Sequence, residues 1–156
     1  MTDHASLADA QAKLLAALVD GAPLPEGFDT DAMKELSGSL SHKRARTAAQ
    51  VWPRLARCLG PRFATMFQEH VAPQPLLHLH GPLVDGWRLA EVCEQQRELD
   101  LPAAEELLEV RLHFTRVPEG IERRSSPLRF ESARASSAVT RSVMLFGKRF
   151  SRRTQR

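Results

Sequence analysis

Residues 41–60 read SHKRARTAAQVWPRLARCLG, a stretch that joins a basic cluster to a Trp-Pro pair. Proline has no amide hydrogen and disfavours helical backbone in the residue before it. Trp52 is therefore expected to end one helix, and Pro53 to occupy the first turn of the next. Gly60 and Pro61 repeat this arrangement. The stretch predicts short helices that meet at a sharp corner.

The basic cluster of this stretch divides when it is placed on a helix. At about 100° per residue, Arg44 falls inside an apolar stripe, Lys43 lies on its flank and Arg46 lies around the side. The stripe consists of Met33, Leu36, Leu40, Thr47 and Val51. Because a buried unpaired arginine costs several kcal/mol, we expect Arg44 to bind an acidic or carbonyl group of another segment. Contact of the cluster with phosphate or a protein partner is the alternative.

Further helices are predicted on both sides of the Trp-Pro corner. Apolar residues repeat at three and four through residues 6–21, between a capping serine and a glycine. A second helix is expected to begin at Thr30 or Asp31 and to run towards Val51. After a proline-rich loop, Asp85 is expected to cap a helix whose inward residues include Trp87.

The sequence changes character after residue 101. Leu108, Val110, Leu112 and Phe114 alternate with polar residues, which predicts a strand by Val110. The segments PLRFES and SVMLFGKRF have the apolar and aromatic content of further strands.

These patterns predict an α+β protein. Its N-terminal part, residues 1–101, is expected to be a bundle of about five helices. Residues 102–150 are expected to form a small antiparallel, β-rich part that binds a peptide or a partner, and residues 151–156 a frayed basic tail.

The two parts carry opposite charge. Residues 1–109 contain 10 Lys/Arg against 16 Asp/Glu, whereas residues 110–156 contain 12 against 3. The net charges are therefore −6 and +9. A basic segment attracts polyanions or acidic peptides by raising their local concentration.

The arginines of the basic part are the candidate binding residues. Six of them are selected for contact with a peptide or partner: Arg111, Arg116, Arg123, Arg124, Arg129 and Arg141; Arg134 and Arg149 belong to the same array. A solvated β surface is one interpretation, and an acidic peptide laid along a sheet edge is another, because guanidinium groups pair with carboxylates in two-pronged fashion. Nucleic acid is the third, although the four phenylalanines of this part, Phe114, Phe130, Phe146 and Phe150, are expected in the core rather than stacked on bases.

The sequence contains no familiar catalytic pattern. His70, His78 and His80 are the only group suggestive of a metal site, and they are expected to be surface loop residues. Cys58 and Cys93 do not form a CxxC pair and are expected to be ordinary reduced residues. No apolar run approaches the roughly 20 residues needed to span a bilayer, so we expect a soluble, cytoplasmic protein. Because no catalytic pattern is present, we also expect that it is not an enzyme.

The order of several spaced motifs resembles a small bacterial protein family. The motifs are LLAALVDGAPLPEGFD (14–29), KRARTAAQVWPRLARCLGPRF (43–63), VDGWRLAEVCEQQRELDLP (84–102), LLEVRLHF (107–114) and VMLFGKRF (143–150). Members of this family are partner proteins, or C-terminal extensions, of multinuclear non-haem iron-dependent oxidative enzymes. The greatest resemblance is to the partner subunits of the pathway that makes 3-thiaglutamate on a carrier peptide.

The resemblance implies a non-catalytic subunit. Its partner would be a TIM-barrel enzyme that modifies ribosomally made peptides and holds the iron itself, so that this chain needs no cofactor. The subunit would dock on the enzyme and help to recognise the precursor peptide. The alternatives are a nucleic-acid-binding regulator and a metal enzyme built on the three histidines. In the family motifs Arg44, Trp52, Pro53, Asp85 and Trp87 are interpreted as structural, so no binding residue is carried over from the family.

Overall fold

The computed structural model describes residues 9, 12–14, 16–17, 30–77, 80–126, 128–145 and 148–155. Its helices are α1 (Thr30–Val51), α2 (Pro53–Leu59), α3 (Arg62–His70), α4 (Gly81–Gln95) and α5 (Leu101–His113). Its strands are β1 (Phe114–Val117), β2 (Gly120–Arg123), β3 (Leu128–Arg134), β4 (Ala138–Leu145) and β5 (Lys148–Gln155). Residues 9, 12–14 and 16–17 are also helical and fall inside the first predicted helix, whose ends lie outside the described residues. The predicted α+β class, with helices first and antiparallel strands last, is confirmed.

The Trp-Pro corner is present as predicted. Trp52 lies between α1 and α2 with φ −117° and ψ 64°, and Pro53 begins α2. Gly60 ends α2 with a positive φ of 54°, a backbone conformation that glycine adopts without steric cost. Trp52 is fully buried in the core, together with Leu55 of α2 and Phe67 of α3. The corner therefore folds the first helices back around one apolar centre.

The predicted apolar stripe of α1 is wrong in part. Leu36 and Val51 are 53% and 45% exposed, whereas Ala45 and Ala48 are buried. The buried face of α1 is thus turned towards its alanines. Ala45 and Ala48 belong to the same buried core cluster as Trp52.

The prediction of a strand by Val110 is also wrong. The backbone stays helical from Leu101 to His113, and the first strand begins at Phe114. Asp100 caps this helix by accepting a hydrogen bond from the amide of Ala103 at 2.8 Å. The fully buried residues 104, 107, 108 and 112 lie three and four apart, so the helical period competes with the alternation and prevails.

Two further boundaries differ from the sequence predictions. Asp85 does not cap α4, because the helix begins four residues earlier at Gly81, with Pro82 in its first turn. Residues 151–155 do not form a frayed tail, because they make up the second half of β5. Alternating polar and cationic residues gave no apolar signal for this edge strand.

The strands form two antiparallel sheets. β1 and β2 make a hairpin, and β3, β4 and β5 make a three-stranded sheet in the order β3-β4-β5. β3 and β4 pack on α5. In β3, Ala133 faces α5 and is fully buried, while Phe130 points away and is 66% exposed. We call the side that packs on α5 the inner face and the opposite side the outer face.

Candidate peptide- and partner-binding site

Arg44 is the inward member of the basic cluster and is paired. Its Nε and Nη2 donate to the two carboxylate oxygens of Asp85, at 3.1 and 2.9 Å. Its Nη1 donates to the carbonyls of Ala72 and Gln74. The Arg44 and Asp85 side chains are only 10% and 1% exposed. The partners are of the two kinds that the sequence suggested, and they fasten α1 to α4 and to the segment after α3.

The Trp and Gly positions of the family motifs have internal contacts as well. The indole nitrogen of Trp52 donates to the carbonyl of Leu83 at 3.1 Å. Gly86 lies against the same indole, so closely that an added Cβ would come within 2.1 Å of Cδ1. Trp87 is buried, and its indole nitrogen donates to Glu91 at 2.8 Å. These residues build the helical scaffold. Lys43 and Arg46 are the exposed cations of the basic cluster.

Among the six candidate arginines, Arg111 and Arg116 bind acidic residues of α4. Arg111 donates to both carboxylate oxygens of Glu94, at 3.3 and 2.8 Å, and to the carbonyl of Ser132 in β3. Arg116 pairs with Glu91 at 2.7 Å, and its guanidinium lies 5.1 Å from the ring centre of Trp87. Both arginines therefore join the β-rich part to α4.

Arg124 and Arg129 satisfy local groups. Arg124 donates to the carbonyl of Phe114 at 2.9 Å and pairs with Glu131 at 2.8 Å. Arg129 donates to the carbonyls of Leu112, Arg124 and Ser126. A guanidinium with its protons engaged by carbonyls fixes the course of the chain between the hairpin and β3. The main role of these two residues is therefore structural.

Arg123 and Arg141 are different, because both are exposed. Within the described part of the chain, neither side chain has a hydrogen bond or an ion pair. Arg123 ends β2 in the hairpin, and Arg141 lies in the middle of β4. The structure thus does not bring the six candidates together into one patch.

The ion pairs of the inner face account for part of the charge asymmetry. Arg149 of β5 pairs with Glu109 at 2.8 Å, and Arg153 pairs with Glu105, so that β5 is tied to α5. Outside this sheet, Glu91 and Glu94 of α4 form ion pairs with Arg116 and Arg111. The acidic helices are therefore the first partners of the basic strands.

The outer face is the surface that sequence reasoning missed. Leu128, Phe130 and Phe150 lie on it and are 46%, 66% and 60% exposed. The expectation that Phe130 and Phe150 belong to the core is wrong, because their positions in the strand alternation turn them away from α5. The signal was available in the sequence: Phe130 lies between Arg129 and Glu131, and Phe150 follows Arg149. These charged side chains turn inward, where they bind carbonyl groups or charged partners.

Cations accompany these apolar residues on the outer face. The face also carries Arg134, Arg141, Lys148 and Arg152, whose side chains make no ion pair with any described residue. A cavity of about 370 Å³ opens beside Phe130 and Arg141. Exposed apolar side chains among unpaired cations are suited to a ligand that has both apolar groups and carboxylates.

The remaining reactive groups do not form a catalytic or metal centre in the part of the chain that the structure describes. No group of three His, Cys, Asp or Glu residues there is placed to hold a metal ion. His80 lies at the start of α4, whereas His78 falls outside the described residues. Cys58 and Cys93 are free thiols, and burial raises the pKa of the Cys93 thiol to about 12. None of the described helices is long and apolar enough to cross a membrane.

Comparisons with known proteins give two matches. A family model described as "SCO6045-like, C-terminal domain" matches residues 8–95. A curated protein of Streptomyces avermitilis, named "UPF0276 protein", is 40% identical over 70 residues, which make up 45% of this chain and 14% of that protein. The similarity thus spans a small part of the relative's length. No solved structure gives a significant match.

Proposed function

The chain belongs to the SCO6045-like C-terminal domain family, and from this premise we propose that it is a non-catalytic partner subunit. In this proposal the chain binds a TIM-barrel, multinuclear non-haem iron oxidase and helps to recognise that enzyme's precursor peptide. The setting would be the biosynthesis of ribosomal peptide natural products. The motifs quoted above, with their resemblance to such partner proteins, are the source of the enzyme class.

The comparisons are compatible with a partner role. The family is described as a C-terminal domain, and the relative's similar region is 14% of its length. A domain that is a small part of one long chain lies beside other domains there, and interfaces between domains resemble those between separate proteins. A chain that carries this domain is therefore expected to bind its counterpart non-covalently.

The observation that carries the proposal is the composition of the outer face. Large apolar side chains are rarely grouped on the surface of a protein that works alone. Aromatic residues and arginine are the types enriched in protein interfaces. Phe130, Phe150 and Arg141 provide this combination on one side of the sheet.

Iron is assigned to the partner enzyme in this proposal. The described residues offer no cluster of three or more potential ligands, so the donor set in this part of the chain does not fit a multinuclear iron centre. Nucleic-acid binding is not proposed, because no specific observation favours it over a peptide.

The test is reconstitution with a candidate partner, a TIM-barrel iron oxidase from the same organism. A tagged copy of the chain should retain the untagged enzyme during affinity purification, and both should elute together in gel filtration. The affinity of the enzyme for its labelled precursor peptide should rise when the chain is added. A chain that stays monomeric beside the enzyme and leaves peptide affinity unchanged would refute the proposal.

A further inference from the structure

The large exposed apolar side chains of the outer face lie towards one end of its strands, together with Lys148, and three arginines lie towards the other end. Phe130 and Phe150 are both register partners of Val143, so they lie in one row across the sheet, with Leu128 in the next row. Arg141 and Arg152 are direct register partners of each other two residues further along. Arg134 lies in the row beyond them.

One more arginine, from the segment after α4, lies near the cationic end. Arg97 follows α4, and together with Arg134 it lines a cavity of about 300 Å³. Glu94 in the same cavity is already engaged, because it accepts hydrogen bonds from Arg111 and from the amide of Arg134. Neither the Arg97 nor the Arg134 side chain is paired within the described residues. A carboxylate from outside would complete this end.

The dimensions of the face suit one segment rather than a folded domain. β4 and β5 have eight residues each, which at about 3.3 Å per residue gives a length of roughly 26 Å. Phe130 and Phe150 lie in one row on β3 and β5, two inter-strand spacings or about 10 Å apart. A helix is about 10 Å wide, so one helix or one extended segment covers the face. A stable interface between folded proteins needs about 800 Å² on each partner, more than this face offers alone.

We propose that the outer face binds a single acidic, amphipathic segment of the precursor peptide. Its large apolar side chains would pack on Phe130 and Phe150, and its carboxylates would pair with Arg141, Arg152 and the arginines beyond them. This inference rests on the proposed function for the identity of the peptide. Recognition here is by side chains on a sheet face, and it does not use the free backbone groups of the β5 edge.

The experiment uses a defined probe, a fluorescein-labelled peptide of about a dozen residues. Its alternate positions are Phe or Leu in one half and Asp or Glu in the other, with Thr between them, so that an extended peptide presents both kinds of side chain to the outer face. Anisotropy should show binding to the full chain at low salt. Probes with Gln and Asn in place of the acids, or Ser in place of the apolar residues, should bind at least about tenfold more weakly. Absence of binding by the acidic probe would overturn the inference.

Variants of the chain locate the binding site. Phe130→Ser with Phe150→Ser, and separately Arg141→Glu with Arg152→Glu, should each weaken probe binding at least about tenfold. Leu36→Ser is the matched apolar control and Arg46→Glu the matched charge control, because both lie exposed on α1. Circular dichroism shows whether each variant is folded. Equal binding by the outer-face and control variants would overturn the inference.

Backbone methylation separates the outer face from the sheet edge. A probe with N-methyl groups at alternate residues cannot add as a strand to β5, but it retains its side chains. We expect its affinity to stay within about threefold of the parent probe, and a loss of binding would assign the peptide to the edge instead. Copurification with the barrel enzyme is a separate readout: if it persists while the probe fails, the partner role stands and this inference falls.

Discussion

Gly86 lies where the family's Asp-Gly-Trp motif meets the indole of Trp52. A Cβ at this position would come within 2.1 Å of Cδ1 and 2.3 Å of Nε1. Trp52 is fully buried and its indole nitrogen is bonded to Leu83, so the ring has no free volume to move into. We expect Gly86→Ala to lower the free energy of unfolding by about 3 kcal/mol, the upper end for overpacked cores.

Gly38 is the matched control for this substitution. It also lies in a helix, but a Cβ there would have no neighbour within 4 Å. Gly38→Ala should therefore raise the free energy of unfolding by up to about 1 kcal/mol through helix propensity alone. Urea unfolding followed by circular dichroism measures both values, and a Gly86→Ala variant as stable as Gly38→Ala would contradict the packing at the corner.

The Arg44–Asp85 pair is the second test at the residue scale. Arg44→Met would leave the carboxylate of Asp85, which is 1% exposed, with only the more distant Arg88 at 3.5 Å. Removing one partner of a buried pair costs about 3–5 kcal/mol, and we expect that loss in the free energy of unfolding. The double variant Arg44→Met with Asp85→Leu should be more stable than Arg44→Met, because it leaves no buried charge unpaired.

Arg97→Met is the exposed control for the buried pair. Its side chain has no partner among the described residues, so its loss should change stability by less than about 0.5 kcal/mol. Equal free energies of unfolding for Arg44→Met and Arg97→Met would show that the pair does not hold α1 to α4.

At the scale of elements, a residue with a strained backbone lies just after α4. Arg97 has a φ of 59°, in the left-handed region that favours glycine, while the amide of Glu98 bonds back to Cys93 at 2.8 Å. Arg97→Gly should raise the free energy of unfolding by about 1 kcal/mol, because glycine takes this conformation without steric cost. Gln96→Gly, where φ is −78°, should instead lower it. Chemical denaturation measures the free energy of unfolding of the two variants. Stabilisation by both substitutions, or by neither, would contradict the left-handed backbone conformation of Arg97.

Glu106 connects α5 to the beginning of α2. Its buried carboxylate accepts hydrogen bonds from the amides of Arg54 and Leu55, at 3.1 and 2.8 Å. Burial raises the pKa of Glu106 above its ordinary value of 4.5, and the two amide bonds oppose part of that rise. The folded protein therefore binds this proton more tightly than the unfolded chain does.

The raised pKa predicts a pH dependence with a definite sign. Protonation of Glu106 favours folding, so its contribution is fully present below pH 4.5 and is lost as pH rises through the raised folded-state pKa. Glu106→Gln does not titrate and removes this term. The difference in unfolding free energy, wild type minus variant, should fall as pH rises above 4.5 and level off once pH exceeds the raised folded-state pKa. A difference that is constant over this range would contradict the prediction.

The elements that sequence predicted well are those with strong local signals. Pro53 and Pro61 forbid continuous helix, so the corner could be predicted without knowledge of the tertiary contacts. Val110 illustrates the limit, because residues 107–114 fit both an alternating and a helical period. The cap at Asp100 and the packing of Leu112 against the rest of the core decide between the two, and neither is a property of that segment alone.

The candidate site could be predicted only in outline. The array of eight candidate arginines indicated a binding region, but which of them are free depends on how the chain folds. Sequence patterns predict both Arg111 and Arg141 in the β-rich part, yet Arg111 lies on α5 and faces Glu94, whereas Arg141 lies on β4 and faces solvent. Their apolar type alone predicts burial of Phe130 and Phe150, whereas both are exposed. Strand alternation with inward-turned charged neighbours, Arg129 and Arg149, was the better guide.

For the whole molecule, the opposite charges of the helical part and the basic part hold the two parts together. Four arginines, Arg111, Arg116, Arg149 and Arg153, reach acidic residues of α4 and α5. The helical part therefore neutralises the inner side of the basic part and leaves its outer side positively charged. Within β5, the strand alternation separates Arg149 and Arg153, which hold the sheet to α5, from Arg152, which is available to another molecule.

This division predicts opposite phenotypes for two arginines of the same part. Arg111 and Glu94 are each 16% exposed, so Arg111→Met should lower the free energy of unfolding by about 3 kcal/mol. Arg141→Met removes an exposed, unpaired cation, so it should change stability by less than about 0.5 kcal/mol. The same Arg141→Met should weaken binding of the acidic amphipathic probe several-fold, by about 1 kcal/mol. Denaturant unfolding and probe anisotropy are measured on both variants. Arg111 of α5 acts through the fold, whereas Arg141 of β4 acts through the ligand. A large stability loss in Arg141→Met, or none in Arg111→Met, would show that the structural and the binding arginines are assigned the wrong way round.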